Sequence, residues 1–312
     1  MRAVIIGAGS IGQRHMDNLR RLRPGIDLET VRDADDGEFA ARLKSAPDLA
    51  VVSTPPNLHA RAVIALLERG VPCYIEKPLV ATRKEVDELE RAIGRLGTLP
   101  PTLVGCNLRF LPSLRALKSA LANGTIGRPV RATFSAGQWL PDWRPHRDYR
   151  ATYSADRSRG GGAILDLIHE IDQVRWLLGE FEVVHAIAGK YSALEITSED
   201  AACILLGRDG GPVVAVGVDY VSQRRVRRYE IIGDRGTILW DLGAQRLELT
   251  TAEGNETLET AAVAFDVAGT YASAMAEFLA CVEGEREDTP QTIRDAIRTM
   301  ELALTAREKA GL

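Results

Sequence analysis

The chain has 312 residues, of which 45% are hydrophobic and 26% charged, with a formal net charge of −4. That length carries two domains of ordinary size with a core each, and the composition is that of a globular chain rather than a disordered or fibrous one. The weakly acidic balance excludes nucleic acid and a membrane surface as expected partners, and no run of about 20 apolar residues offers a membrane span.

The chain enters an apolar strand at once, without a charged leader, so a cytoplasmic location is expected. Cys73, Cys106, Cys203 and Cys281 are widely spaced and read as free thiols, with no metal spacing among them.

In chain order, residues 2–6 are a predicted strand, followed by a helix from Gly12 to about Leu22. Strands are predicted at Leu28–Val31, Leu49–Ser53, Pro72–Ile75 and Thr102–Cys106, alternating with helices at Leu58–Arg69 and Lys84–Leu96. Only one small helix fits between the second and third strands, at Phe39–Leu43. This alternation is the pattern of a parallel sheet covered on both faces. From about Val130 the rhythm turns to β-rich segments with hairpin signals such as Asp209-Gly210-Gly211, broken by one long helix at Ala163–Leu178 and closed by helices after Tyr271. The expected fold is α/β plus α+β: a Rossmann domain at 1–121 and a domain with an open, mostly antiparallel sheet at 122–312.

Gly7-Ala8-Gly9-Ser10-Ile11-Gly12 lies directly after a strand and opens a helix, the context in which glycines admit a pyrophosphate to a helix N-terminus. Roughly 20 positions past such glycines a residue inspects the adenosine ribose. Arg32 and Asp33 stand there. The acid suits the 2′-hydroxyl of NAD and the arginine the 2′-phosphate of NADP; the register favours Arg32, and the cofactor is NAD or NADP.

Glu76-Lys77-Pro78 follows the fourth strand at its carboxyl end, the edge where open α/β sheets bind ligands. A lysine there can hold or polarise a substrate hydroxyl, and Pro78 restricts the backbone of Lys77. A surface lysine before a turn proline is the other reading of the tripeptide. Thr54-Pro55-Pro56-Asn57-x-His59 follows the third strand in the same way and is expected beside the nicotinamide ribose, with His59 as a cofactor neighbour rather than a catalyst.

On a continuous helix, Asp166, His169 and Gln173 fall on one narrow polar stripe of an otherwise apolar surface. Such a stripe needs a polar partner. It serves either a sugar-like substrate, with His169 taking the hydroxyl proton and Asp166 orienting substrate or histidine, or buried structural bonds. Asp166-x-x-His169 supplies two ligands and no third, so no metal is expected. The preceding loop carries Trp139, Trp143, Arg144 and Tyr149, whose faces and guanidinium suit a sugar ring and an anionic group. Packing between subunits is its alternative. Arg109 and Tyr153 complete the expected substrate contacts.

Taken together, Gly7 to Gly12, Thr54-Pro55-Pro56, Glu76-Lys77-Pro78, Asn107-x-Arg109-Phe110, Gly124-x-Ile126-Gly127 and the Gly160 to Gly179 block resemble the glucose-fructose oxidoreductase, inositol dehydrogenase and rhizopine catabolism (Gfo/Idh/MocA) family. The resemblance implies catalytic roles for Lys77, Asp166 and His169, and a place near the nicotinamide for Asn107. It also implies a homo-oligomer, dimer or tetramer, formed through the face of the open sheet. One departure stands out: many members space aspartate and histidine as Asp-x-x-x-His, whereas Asp166 and His169 are three apart. That variant is similar to a subgroup associated with bacterial surface-sugar pathways. The expected activity is NAD(P)-dependent hydride transfer at a hydroxyl carbon of a sugar or sugar derivative. The alternatives are glycoside cleavage through transient oxidation and a non-catalytic dinucleotide sensor.

Overall fold

The computed structural model describes residues 1–34 and 37–312. Its contacts divide the chain into two compact units: residues 1–107 with 268–301, and residues 108–267 with 302–312. The expected division lay at 121, inside a helix of the second unit; the return of residues 268–301 to the first unit is a long-range event that local patterning does not carry.

The first unit begins with β1 (Arg2–Ile6), α1 (Ser10–Leu22), β2 (Asp27–Val31), α2 (Gly37–Lys44), β3 (Leu49–Val52), α3 (His59–Leu67), β4 (Cys73–Ile75), α4 (Arg83–Arg95) and β5 (Thr102–Val104). The five strands form one parallel sheet in the order β2-β1-β3-β4-β5. Ala3 to Ile6 and Leu49 to Val52 have no exposed surface, as expected where helices cover both faces of a parallel sheet. Helix α1 buries Gly12, His15, Met16 and Leu19, a single stripe at spacings of three and four. Thr82 and Glu85 close a capping box at the start of α4, satisfying donors that would otherwise be orphaned. At the far edge, the Val104 amide donates to Gln291 O at 3.0 Å and the Ile293 amide to Thr102 Oγ1 at 3.0 Å, which brings residues 268–301 into this unit.

The second unit contains α5 (Pro112–Ala122), β6 (Pro129–Gly137), α6 (Ala163–Asp166), α7 (His169–Leu178), β7 (Glu182–Gly189), β8 (Ala201–Gly207), β9 (Val213–Asp219), β10 (Val226–Gly233), β11 (Gly236–Asp241), β12 (Arg246–Thr251) and β13 (Gly254–Glu259). These strands make an open sheet in the order β13-β12-β11-β10-β6-β9-β8-β7. All pairings are antiparallel except β6 with β9. The chain continues into α8 (Val267–Val282) and α9 (Ile293–Lys309).

Alternation sorts the sheet residues: Ala202, Ile204 and Leu206 of β8 are buried, while Leu205 between them is 44% exposed. On the buried face, Phe134, Tyr229 and Trp240 stack in series with centroids 4.6 and 4.7 Å apart. Each ring buries a large apolar area and adds geometric preference to it. Helix α7 packs on β6 and β9.

The predicted single helix at 163–178 is two helices, α6 and α7, parted at Leu167 and Ile168, where Leu167 has φ −101° and ψ 32°. The continuous wheel that set Asp166 beside His169 therefore does not apply across the break. Only His169 and Gln173, four apart within α7, keep the row.

Candidate functional site

In the first unit, Gly7 has φ +97°, and a Cβ there would sit 2.7 Å from Ser53 C and Thr54 N. A Cβ on Gly12 would lie 2.1 Å from Gly7 O. Only glycine lets this turn close so tightly on β3. Ser53 Oγ seals it from below, donating to Gly7 O at 2.7 Å and Ile6 O at 3.1 Å. Above it, Gly9 and Ser10 are exposed, and Ile11 is half-buried. Gly9 caps α1 without a side-chain bond. The first-turn amides of α1 therefore face an open cradle, which suits an anion at the positive end of the helix dipole. Thr54 Oγ1, in the next loop, is buried and has no hydrogen-bond partner, a polar atom fitted to a ligand. These residues fit a dinucleotide. Its pyrophosphate would take the α1 amides, and its nicotinamide would supply the hydride acceptor or donor.

Arg32 and Asp33 follow β2 directly, their side chains 3.4 Å apart and 82% and 20% exposed. His59 has no exposed surface. Its Nε2 lies 2.8 Å from Thr54 O, and its Nδ1 lies 3.1 Å from both Pro78 O and Leu79 O. Burial pushes its pKa down against the upward pull of those carbonyls and of Glu76. Its ring nitrogens thus face backbone atoms, and Pro55 supports the same loop at the start of a short 3₁₀ turn. Lys77 follows β4 through Glu76, and the Lys77–Pro78 peptide is cis, a geometry not visible in the sequence pattern. Glu76 is 7% exposed and places Oε1 2.6 Å from His15 Nε2. Asn107 is 2% exposed and donates through Nδ2 to Thr270 Oγ1 at 2.6 Å.

In the second unit, Asp166 at the end of α6 is 1% exposed and accepts from two phenols, Tyr153 OH on Oδ1 and Tyr220 OH on Oδ2, each at 2.6 Å. Tyr220 OH in turn accepts from the Gly162 amide at 3.1 Å. Burial, and then the charge of Asp166, raises the Tyr220 pKa well above its ordinary value, so Tyr220 remains a proton donor to the carboxylate. Trp143 meets the Tyr220 ring edge-on at 5.2 Å and donates through Nε1 to Gln138 O. Thus Trp143, Tyr220, Asp166 and Tyr153 form one connected group. Tyr149 OH accepts from the Glu195 amide at 3.2 Å, while Trp139 is half-buried and Arg144 exposed.

His169 opens α7 and is 6% exposed. One turn on, Gln173 has no exposed surface, and neither of its amide atoms has a hydrogen-bond partner within the protein. The other polar residues of α7 are used structurally. Arg109, expected among the substrate contacts, forms a buried bidentate pair with Asp172 through Nε at 2.9 Å and Nη2 at 2.6 Å. Glu170 accepts from Tyr229 OH at 2.9 Å and pairs with Arg227 at 2.8 Å. Behind α6, Arg307 pairs with Glu199 at 2.7 Å and donates to Gly161 O at 2.6 Å.

Sequence reading missed Tyr220 and His15. Tyr220 stands 54 positions from Asp166, and nothing local pairs them. His15 had a signal, a histidine on the buried stripe of α1 three residues after Gly12. Among the described residues no cluster of three or more histidine, cysteine or acidic side chains could hold a metal, and no helix is long and apolar enough to cross a membrane.

Residues 1–99 match the oxidoreductase family with an NAD-binding Rossmann fold, and residues 114–239 match the GFO/IDH/MocA C-terminal domain. An inositol 2-dehydrogenase of Acidothermus cellulolyticus is 30% identical over 265 residues, covering 76% of this chain and 72% of its own. A levoglucosan dehydrogenase solved with NADH and L-sorbose superposes with a TM-score of 0.83 at 18% identity, over 100% of this chain and 97% of its own. The WlbA dehydrogenase of Bordetella pertussis, solved with NADH and UDP-GlcNAcA, does so with a TM-score of 0.81 at 19% identity, over 100% and 95%. At such identities the two structures are alike in fold.

Proposed function

The chain belongs to the Gfo/Idh/MocA family and is a dinucleotide-dependent oxidoreductase of the sugar dehydrogenase kind, and on that premise we propose how its own residues divide the work. In the oxidising direction, the hydride leaves a hydroxyl carbon for the nicotinamide, and the hydroxyl proton leaves for the protein. Lys77 Nζ holds and polarises that hydroxyl, and the imidazole of His169 accepts its proton. Asp166, which accepts from two phenols, orients the sugar or the histidine. Trp143, Trp139 and Tyr149 offer ring faces to the sugar, Arg144 a cation, and Gln173 an amide. Arg109 acts through its pair with Asp172.

The single observation that carries this reading is the glycine cradle before an uncapped helix, on a chain matched to the family in both halves. Asp33 accepting a ribose hydroxyl favours NAD, the form in both solved relatives described above, over the NADP that Arg32 suggests. A fluorescence titration with NADH and NADPH, followed by an absorbance screen against neutral, acidic and nucleotide-linked sugars, tests it. Tighter NADPH binding would reverse the cofactor assignment, and failure to bind either would end the reading.

The location is proposed to be cytoplasmic, and the outer sheet face to meet a second copy of the chain. Val184, Ile187, Tyr191, Leu205 and Val213 are 44–67% exposed there, beside a cavity of about 450 Å³ lined by Ile187, Tyr191, Cys203 and Val226. Sedimentation velocity showing only monomer at micromolar concentration would reject the second copy.

A further inference from the structure

We propose that His15 and His59 are positioning residues that bracket Lys77, fixing the backbone on its two sides by reference to the two loops expected to hold the dinucleotide. The inference rests on the functional reading above, in which Lys77 holds the reacting hydroxyl.

The bracket is read from buried polar atoms. Lys77 stands in the segment Glu76 to Leu79 after β4. On one side, Glu76 Oε1 lies 2.6 Å from Nε2 of His15, which has no exposed surface. His15 sits one turn past Gly12 on α1, the helix that the glycine cradle opens. Its ring packs against Tyr74 at 4.7 Å and Tyr271 at 6.3 Å, so it has little freedom to follow Glu76 elsewhere. On the other side, Pro78 O and Leu79 O lie 3.1 Å from His59 Nδ1, and His59 Nε2 reaches back 2.8 Å to Thr54 O. His15 on α1 thus bonds the lysine segment to the helix that the Gly7–Gly12 turn opens, and His59, at the start of α3 after the Thr54–Pro56 turn, bonds it to that turn when its single N–H sits on Nδ1.

Neither histidine can serve as the acid or base. Both are wholly buried, and His59 meets backbone carbonyls at both ring nitrogens. What they supply is rigidity. Hydrogen bonds in a water-free interior are strong and hold one arrangement, and a misplacement of about 1 Å at a reacting group costs about 100-fold in rate. Two anchors on either side of a single residue restrict the place from which Nζ is presented.

The test uses the full chain, a sugar on which the wild-type protein turns over, single-turnover hydride transfer and NADH fluorescence binding. His15→Leu and His59→Leu remove the anchors. His15→Gln and His59→Asn keep an amide N–H near the Nε2 and Nδ1 positions. Each leucine variant is expected to lose about 10- to 100-fold in hydride transfer with NADH Kd within about 3-fold of wild type. The amide variants should recover to within about 3- to 10-fold of wild type. Leucine variants that fold and transfer hydride at the wild-type rate would overturn the bracket. So would losses of rate matched by equal losses of NADH affinity, which is the signature of general unfolding. If a leucine variant does not fold, His15→Phe or His59→Phe, which keeps a ring but no N–H, decides: wild-type rate rejects the proposal, and a rate deficit with unchanged NADH affinity supports it. A wild-type protein that binds no nicotinamide fails the functional reading first and takes this inference with it, whereas an active enzyme indifferent to both histidines fails this inference alone.

Discussion

The two units hold their polar groups by different means. In the first, the site is shaped by backbone: glycines that admit close approach, a serine and a histidine bonded to carbonyls, an uncapped helix end. In the second, it is shaped by side chains paired across long sequence distances: Arg109 with Asp172, Glu170 with Arg227 and Tyr229, Glu199 with Arg307, Asp166 with Tyr153 and Tyr220. A backbone-built cradle suits a ligand whose pyrophosphate is always the same. A side-chain-built surface can be altered residue by residue, which suits a site that must distinguish one sugar from another.

The largest expected effect tests whether both regions serve one reaction. Lys77→Ala and His169→Ala should each lower kcat about 100- to 10,000-fold while NADH still binds, as measured by steady-state turnover beside a fluorescence titration. If only one of them loses turnover, the chemistry belongs to one region and the shared assignment breaks.

Asp172→Ala should leave Arg109 buried without its counter-charge and cost about 3–5 kcal/mol in urea denaturation, because an unpaired buried ion keeps its full desolvation penalty. A loss below about 1 kcal/mol would mean that the buried pairs do not organise the second unit as argued. Smaller still, Asp166→Asn can accept from only one of the two phenols, and about a 10-fold loss in kcat/KM is expected. Wild-type kcat/KM in that variant would remove Asp166 from the machinery.

The smallest effect concerns pH. His59 has a folded pKa below the ordinary imidazole value of about 6.5, so its contribution to stability is complete above that value and is lost as pH falls through the folded pKa. Melting temperature should fall between pH 7.5 and 5.5 more steeply in wild type than in His59→Asn. Parallel slopes would show that His59 is not among the groups that take up protons on unfolding.

Much of the first unit was legible in the sequence, because each of its devices is local. Gly7, Gly9 and Gly12 act within one turn, and the lysine follows its strand directly. The strand at β4, the helix α4 and the single short helix α2 between β2 and β3 also followed from short-range pattern. The second unit was legible only as strands and an apolar helix with a narrow polar stripe. The break at Leu167 passed unseen because residues 163–178 are apolar enough to read as one helix, and the part of Arg109 was hidden because its partner lies 63 positions away.

What the sequence determined by itself is the alternation of strands and helices, the dinucleotide cradle and the identity of the polar residues near each strand end, since periodicity and glycine geometry act over a few residues. The tertiary structure decided which of those residues remain available. Burial set His59 between two loops, turned Asp172 toward Arg109 and set two phenols on Asp166, because a buried polar group must find its partner wherever the fold brings one within hydrogen-bond reach.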